Sequence, residues 1–251
     1  MPLHASPTNA IQKVCAVLRA LGGHAPLRLS ELTVATGLNK VTALRILDTL
    51  IEEGFAERIE IGRRYRLGRE SLALAAGLKR PHDLRDLARP GMIRIAGACE
   101  DTVLLSVRSG DEAVCIERQI GAFPIRANYL DIGSRRPLGV GGGSTALLAW
   151  LPDAEIEALL EQAAGKLAPY PRLSLDLIRA GIASARERGF ALFLDLVIDR
   201  MGGIGLPIRD PQGGIIGAFS IAALSERIRG RETELVELMR RESDLITREL
   251  A

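Results

Sequence analysis

SELTVATGLNKVTALRILDTLIEEG, Ser30 to Gly54, reads as two helices joined by a tight turn, and the division of the whole chain follows from that reading. Ser30 has the side chain of an N-cap for a short first helix that turns Leu32 and Ala35 inward. Gly37 supplies the turn, and Asn39 can cap the second helix. At about 100° per residue the second helix gathers Ala43, Leu44, Leu47, Leu50 and Ile51 on one side and Thr42, Arg45 and Thr49 on the other. Gly54 sits where a helix stops. Phe55 to Leu67 then reads as a hairpin, FAERIE and RRYRL about a turn at Ile61 and Gly62.

Taken alone, the second helix is an ordinary amphipathic surface helix. Its setting gives it more meaning. Upstream, Ile11, Val14, Cys15, Leu18 and Leu21 recur at helical spacing and can complete a three-helix core, while the hairpin carries Arg58, Arg63, Arg64 and Arg66 among few acids. Helix, turn, helix and basic hairpin make the winged helix-turn-helix layout, in which one helix enters the major groove of double-stranded DNA and the wing meets flanking phosphates. The candidate DNA contacts are therefore Lys40, Thr42, Ala43, Arg45 and Thr49 on the helix and the four wing arginines.

Charge distribution agrees with this placement. Residues 1–90 hold 14 Lys and Arg against 9 Asp and Glu, whereas the remainder holds 19 against 22, so the basic excess travels with the helix-turn-helix. The 251 residues, 47% hydrophobic and 4% aromatic, suit a soluble protein of about two domains. MPLHASPTN has neither the basic nor the apolar region of a signal peptide, and no stretch reaches membrane-spanning length, so a cytoplasmic protein without a membrane partner is expected. Cys15, Cys99 and Cys115 are scattered within apolar patterns, and His4, His24 and His82 have no ligand-spaced partners. Buried thiols, no metal and no cofactor are expected.

Beyond the wing, Leu67, Leu72 and Leu74 suggest a short helix, Gly77 and Pro81 interrupt it, and Asp83 can cap another helix from Leu84 towards Cys99. From Asp101 the period changes. TVLLSV, AVCIER and PIRANYL are strand-like; STALLAWL, DAEIEALLEQ and SLDLIRAGIASARERG are helical; FALFLDLVI, GGIGLPIRD and GGIIGAFSIAAL return to strands, and RETELVELMRRESDLITREL closes as a helix. The expected organisation is a DNA-binding domain over 1–68, a helical linker over 69–100 and an α+β domain over 101–251.

The order of these pieces resembles the IclR family of bacterial transcriptional regulators across nearly the whole chain. LSELTVATGLNKVTALRILDTLIEEGF resembles the family's helix-turn-helix, RYRLG its wing end and DLRDLARPGM the helix beyond its linker. RRPLGVGGGSTALLAWLPD resembles the segment leading into a helix of the second domain, and RERGFAL with GGIGLPIRDPQGGIIGAFSIAA its closing strands. The resemblance implies a winged helix-turn-helix joined to a GAF-like domain that senses a small-molecule effector, acting as a homodimer or dimer of dimers. One segment departs from the family pattern: LFLDLVIDRMGGIGL has Phe193, Leu194, Leu196 and Val197 where many relatives carry acids, and Gly203 near their usual cysteine. A ligand with an apolar body is expected.

The run GVGGGS, Gly139 to Ser144, lacks the Lys-Ser/Thr ending of a P-loop. It can serve close backbone packing, or its N–H groups at a helix start can hold a carboxylate. On the second reading the effector contacts are Gly141, Gly142, Gly143 and Ser144, with Arg126 and Asn128 from PIRANYL and Asp195, Met201 and Gly203 from the closing strands. A ligand-controlled regulator, not an enzyme, is the favoured function. The alternatives are a hydrolase-like enzyme tethered to a DNA-binding domain, against which the second domain holds no histidine and no G-x-S-x-G, and a constitutive architectural DNA-binding protein.

Overall fold

A computed structural model describes residues 8–23, 25–59, 61–77, 83–125 and 130–251. The chain divides into two compact units, Met1–Pro81 and His82–Ala251.

The first unit runs α1 (Ala10–Leu21), β1 (Leu27–Arg28), α2 (Leu29–Thr36), α3 (Lys40–Glu52), β2 (Ala56–Ile59), β3 (Arg64–Leu67) and α4 (Glu70–Gly77). Short polar side chains set the helix starts. Asn9 Oδ1 accepts from Gln12 N at 2.9 Å and Asn39 Oδ1 from Thr42 N at 2.9 Å, each satisfying a donor that the helix itself leaves unpaired. Gly37 closes α2 in the left-handed conformation, φ 69°. Ser30 is not the N-cap expected of it. The cap position is Arg28, two residues earlier, where the Glu31 carboxylate accepts from Arg28 N at 2.7 Å.

Val17, Leu21, Leu32, Leu38, Ala43, Leu47, Leu50, Ala56 and Tyr65 form the core of this unit. The inward stripe of α1 centres on Val17, so Ile11, expected inside, falls on the rim and is exposed. Leu44 and Ala35 are exposed for the same reason: each lies roughly 80° or more from the buried centre of its helix, and Thr36 rather than Ala35 faces in. The hairpin forms as expected, with Gly62 at φ 86° and Arg63 at φ 49° in its turn. The sequence reading lacked the short β1, which pairs antiparallel with β3 and makes the sheet three-stranded in the order β1-β3-β2.

The second unit is built on six antiparallel strands in the order β6-β5-β4-β9-β8-β7. They are β4 (Thr102–Ser109), β5 (Glu112–Gln119), β6 (Arg135–Pro137), β7 (Ala191–Leu194), β8 (Met201–Arg209) and β9 (Ile215–Leu224). The two-residue period of a strand splits their side chains between two cores. Val103, Leu105, Phe219 and Ile221 face α5 (Leu84–Cys99) and α10 (Glu232–Glu249). On the opposite face Ala113, Ala191 and Ala218 pack with α6 (Gly142–Leu148), α7 (Asp153–Ala164) and α8 (Leu175–Arg188). The short α9 (Ser225–Ile228) follows β9 directly.

Asp83 caps α5 as expected, its Oδ1 accepting from Arg85 N at 3.0 Å. Yet α5, placed in the linker by its position, contributes Ala88, Met92, Ile95, Ala96 and Cys99 to the core of the second unit. FALFLDLVI is strand only to Leu194, and 195–198 bend away from the sheet. Of the expected strand PIRANYL, residues 126–129 lie outside the described residues, and the strand beside β5 is β6. Among the described residues no helix is long and apolar enough to cross a membrane, and no cluster of three metal-ligating side chains occurs.

Candidate DNA-contact face and ligand cavity

In the first unit the outer side of α3 presents Lys40, Arg45 and Thr49 as exposed residues and Thr42 as a half-buried one. The Thr49 hydroxyl donates to the Arg45 carbonyl at 3.2 Å, which leaves its acceptor side outward. Ala43 is corrected from contact to core: it is 0% exposed and belongs to the packing face. Val41, 71% exposed beside Thr42, occupies the outer side instead. Amphipathic periodicity could have found it, since Val41 lies within about 40° of Arg45 on a helical wheel.

The four wing arginines do not share one face. Strand pairing sets Arg58 opposite Tyr65, Arg66 opposite Glu57 and Arg64 opposite Ile59, so Arg64 and Arg66 project together and Arg58 projects the other way. Arg66 is paired with Glu57. Arg64 is half-buried and its Nη1 donates to Pro26 O at 3.0 Å, bracing the entry to β1. Arg58 and Arg63 are exposed.

In the second unit a cavity opens between the start of α6, the floor made by β4 and β9, and the bend after β7. Glycine makes the α6 wall. Gly141 has φ 98°, and a Cβ on Gly142 would lie 2.8 Å from the backbone of Gly203, while a Cβ on Gly205 would lie 2.3 Å from Gly142 O. Helix backbone therefore rests directly on strand backbone. The first bond of the helix runs from Thr145 N to Gly141 O at 2.9 Å, so the N–H groups of Gly142, Gly143 and Ser144 precede the ladder.

Gly141, Gly142, Gly143, Ser144, Met201 and Gly203, named above as candidate effector contacts, all line this one cavity. Arg126 and Asn128 lie outside the described residues. Two expectations change. The Ser144 hydroxyl donates to Pro137 O at 2.8 Å, tying α6 to β6, so its proton is engaged within the protein. Asp195 does not line the cavity: its carboxylate accepts from Ser225 Oγ and from Arg229 Nη2, both at 2.7 Å, and these partners hold it below the usual aspartate range. Its neighbours Leu196, Val197 and Ile198 form the wall instead.

The residues that sequence reading missed supply most of the polar chemistry. Arg136, on β6, is the one charged side chain among the described lining residues, and its Nη1 would lie 3.4 Å from a Cβ on Gly141. Tyr170 lies near enough for Arg136 to oppose the upward shift that burial gives its phenol. Ser106 and Ser220, 8% and 5% exposed, turn hydroxyls towards Gly143, whose Cβ would meet Ser220 Oγ at 2.8 Å and Ser106 Oγ at 3.8 Å. Both serines line the cavity, so their hydroxyls are placed to meet whatever occupies it. Single serines within the apolar runs TVLLSV and AFSIAAL were the available signal. Cys115 also lines the cavity, its thiol pushed up to about 12 by burial.

Residues 10–60 match the IclR helix-turn-helix domain, and residues 78–248 match the family described as bacterial transcriptional regulator IclR C-terminal. The HTH-type transcriptional regulator KipR of Bacillus subtilis is 30% identical over 211 residues, covering 81% of this chain and 82% of that protein. The glycerol operon regulatory protein of Streptomyces coelicolor is 31% identical over 228 residues, covering 90% and 89%. An IclR homologue from Microbacterium hydrocarbonoxydans, solved in complex with 4-hydroxybenzoate, superposes with a TM-score of 0.74 at 23% identity over 95% of this chain and 97% of that one. With both units matched in order, the chain belongs to the IclR family of bacterial transcriptional regulators, with an N-terminal helix-turn-helix DNA-binding domain and a C-terminal effector-binding domain.

Proposed function

We propose that this regulator binds its operator under the control of a small carboxylate with an apolar body. The observation that carries this reading is Arg136, the one charged side chain among the described residues that line the cavity, beside apolar side chains, hydroxyls, a thiol and glycine backbone. A guanidinium beside the free N–H groups of a helix start suits a carboxylate, and Phe193, Leu104 and Met201 suit an apolar body. The Ser106 and Ser220 hydroxyls, which line the cavity beside Gly143, suit a polar substituent on that body. 4-Hydroxybenzoate, the ligand of the Microbacterium homologue, has these three features and is the first compound to try. Thr42 and Arg45 are the proposed readers of operator bases, and Arg58 and Arg63 the proposed phosphate contacts.

The protein is proposed to act in the cytoplasm as a homodimer or dimer of dimers, and without turnover of its ligand. Supporting that last point, the described lining residues include no histidine and no carboxylate, and a thiol pushed up to about 12 is a poor nucleophile at neutral pH.

Isothermal titration with benzoate, 4-hydroxybenzoate, short aliphatic carboxylates and sugar acids tests the reading. Arg136→Met is expected to weaken binding of the preferred carboxylate by about 10- to 100-fold, the range for a hydrogen bond to a charged group. Equal affinity of parent and variant overturns the assignment.

A further inference from the structure

The bend between β7 and β8 is held in an uncommon way. Asp195 and Arg200, which bracket it, are both non-glycine residues in the left-handed region, at φ 63° and 59°. Such residues persist only where their surroundings fix them. Here the backbone is closed by Asp195 N donating to Met201 O at 3.0 Å, Met201 N to Ile198 O at 3.2 Å and Ser225 N to Arg200 O at 2.9 Å.

The two sides of the bend differ in chemistry. Its inner side is Leu196, Val197 and Ile198, which line the cavity. Its outer side is tied by polar groups from two other parts of the unit. Ser225 and Arg229, at and just after α9, hold the Asp195 carboxylate, both at 2.7 Å. Arg172, before α8, donates to Asp195 O and to Asp199 Oδ1, both at 2.9 Å. An apolar wall of the cavity is thus fastened from outside by charged groups that do not line it.

We propose that Asp195 is a positioning residue for this cavity: with Arg229, Ser225 and Arg172 it latches the 196–198 wall closed, and ligand enters and leaves when the latch opens. The proposal deepens the effector reading, on which it rests for the meaning of the cavity. Partly exposed ion pairs are individually weak, which suits a wall that has to open. A latch acts on rates of exchange. A ligand-contacting Asp195 would instead act on affinity through a direct bond.

Cys115 provides a reporter already in place. It faces the cavity, whereas Cys99 is buried with α5 against the other side of the sheet. Labelling of the full-length protein with methyl methanethiosulfonate, a small uncharged reagent, followed by peptide mass spectrometry, reads opening at each thiol separately. The parent is expected to label slowly at both. Asp195→Asn, which keeps the shape and an acceptor for Ser225, should label Cys115 roughly fivefold faster, the factor carried by one ion pair of ordinary strength. Cys99 should not change. Arg229→Gln should act alike, the double variant should be no faster than either single one, and Arg229→Lys should retain most of the protection.

Unchanged Cys115 labelling in Asp195→Asn and Arg229→Gln overturns the latch. So does fast labelling in the parent, or a parallel rise at Cys99, which would mean loss of fold rather than local opening. No ligand enters this measurement, so it can fail while carboxylate binding at Arg136 stands, and the reverse.

Discussion

The outer face of α3 and the ligand cavity use the same few residue types to opposite ends. On α3 the polar side chains stand clear of the protein because a helix cannot bury two faces against one small core. In the cavity the polar groups come from β4, β6 and β9, brought together only by the sheet order, and their nearest neighbours are glycine backbones. A face of the first kind depends on single side chains and tolerates their loss without unfolding. A site of the second kind is also part of the core, so its shape and its stability cannot be varied separately.

The sharpest way to break this contrast is to place a side chain on the glycine seat. Gly205→Val puts a Cβ 2.3 Å from Gly142 O and should destabilise the second unit by about 3 kcal/mol or more, at the upper end of overpacking effects. Denaturant unfolding followed by the fluorescence of Trp150, the sole tryptophan, measures it. Gly165→Ala, which meets nothing within 4 Å, should stay within about 0.5 kcal/mol of the parent.

On the other side of the comparison, Arg45→Ala should lower operator affinity by about 1–3 kcal/mol, the value of a good base contact. Thermal stability and carboxylate binding should match the parent. A parallel loss of stability would show that the face is not separable from its core.

The smallest effect expected is in the wing. Arg58→Ala and Arg63→Ala should each reduce the slope of log affinity against log salt by about 0.9 and weaken all DNA sequences alike. Arg64→Ala should change the slope less, because its guanidinium already serves Pro26 O. Equal slopes for all three would mean that wing arginines act alike whatever their protein bonds.

What was legible in the sequence follows the same line. Caps and turns are local, so Asn39, Gly37 and Asp83 took the places assigned to them. Helix phase was read less well, because Ile11 and Val17 look equivalent until a partner helix selects one side. That the glycine run and Met201 lie together at one cavity was legible because they adjoin a helix start and a strand start. Arg136 was missed on a three-residue strand with little periodicity, and Ser220 because one serine in FSIAAL does not reveal which face of the strand meets a cavity. Asp195 lies at the right place in the chain but points outward, a consequence of a left-handed backbone that nothing in LFLDLV announces.

The backbone seat between α6 and β8 also limits how this regulator can be re-tuned. Substitution at Gly142 or Gly205 drives a Cβ into main chain that has nowhere to retreat, so that border of the cavity is closed to redesign. Changes to the cavity have to be made where side chains rather than backbone line it, as on β4, β6, β9 and the 196–198 wall. A library at Arg136, Leu196, Val197 and Ile198 would vary the cavity lining while leaving the backbone seat intact.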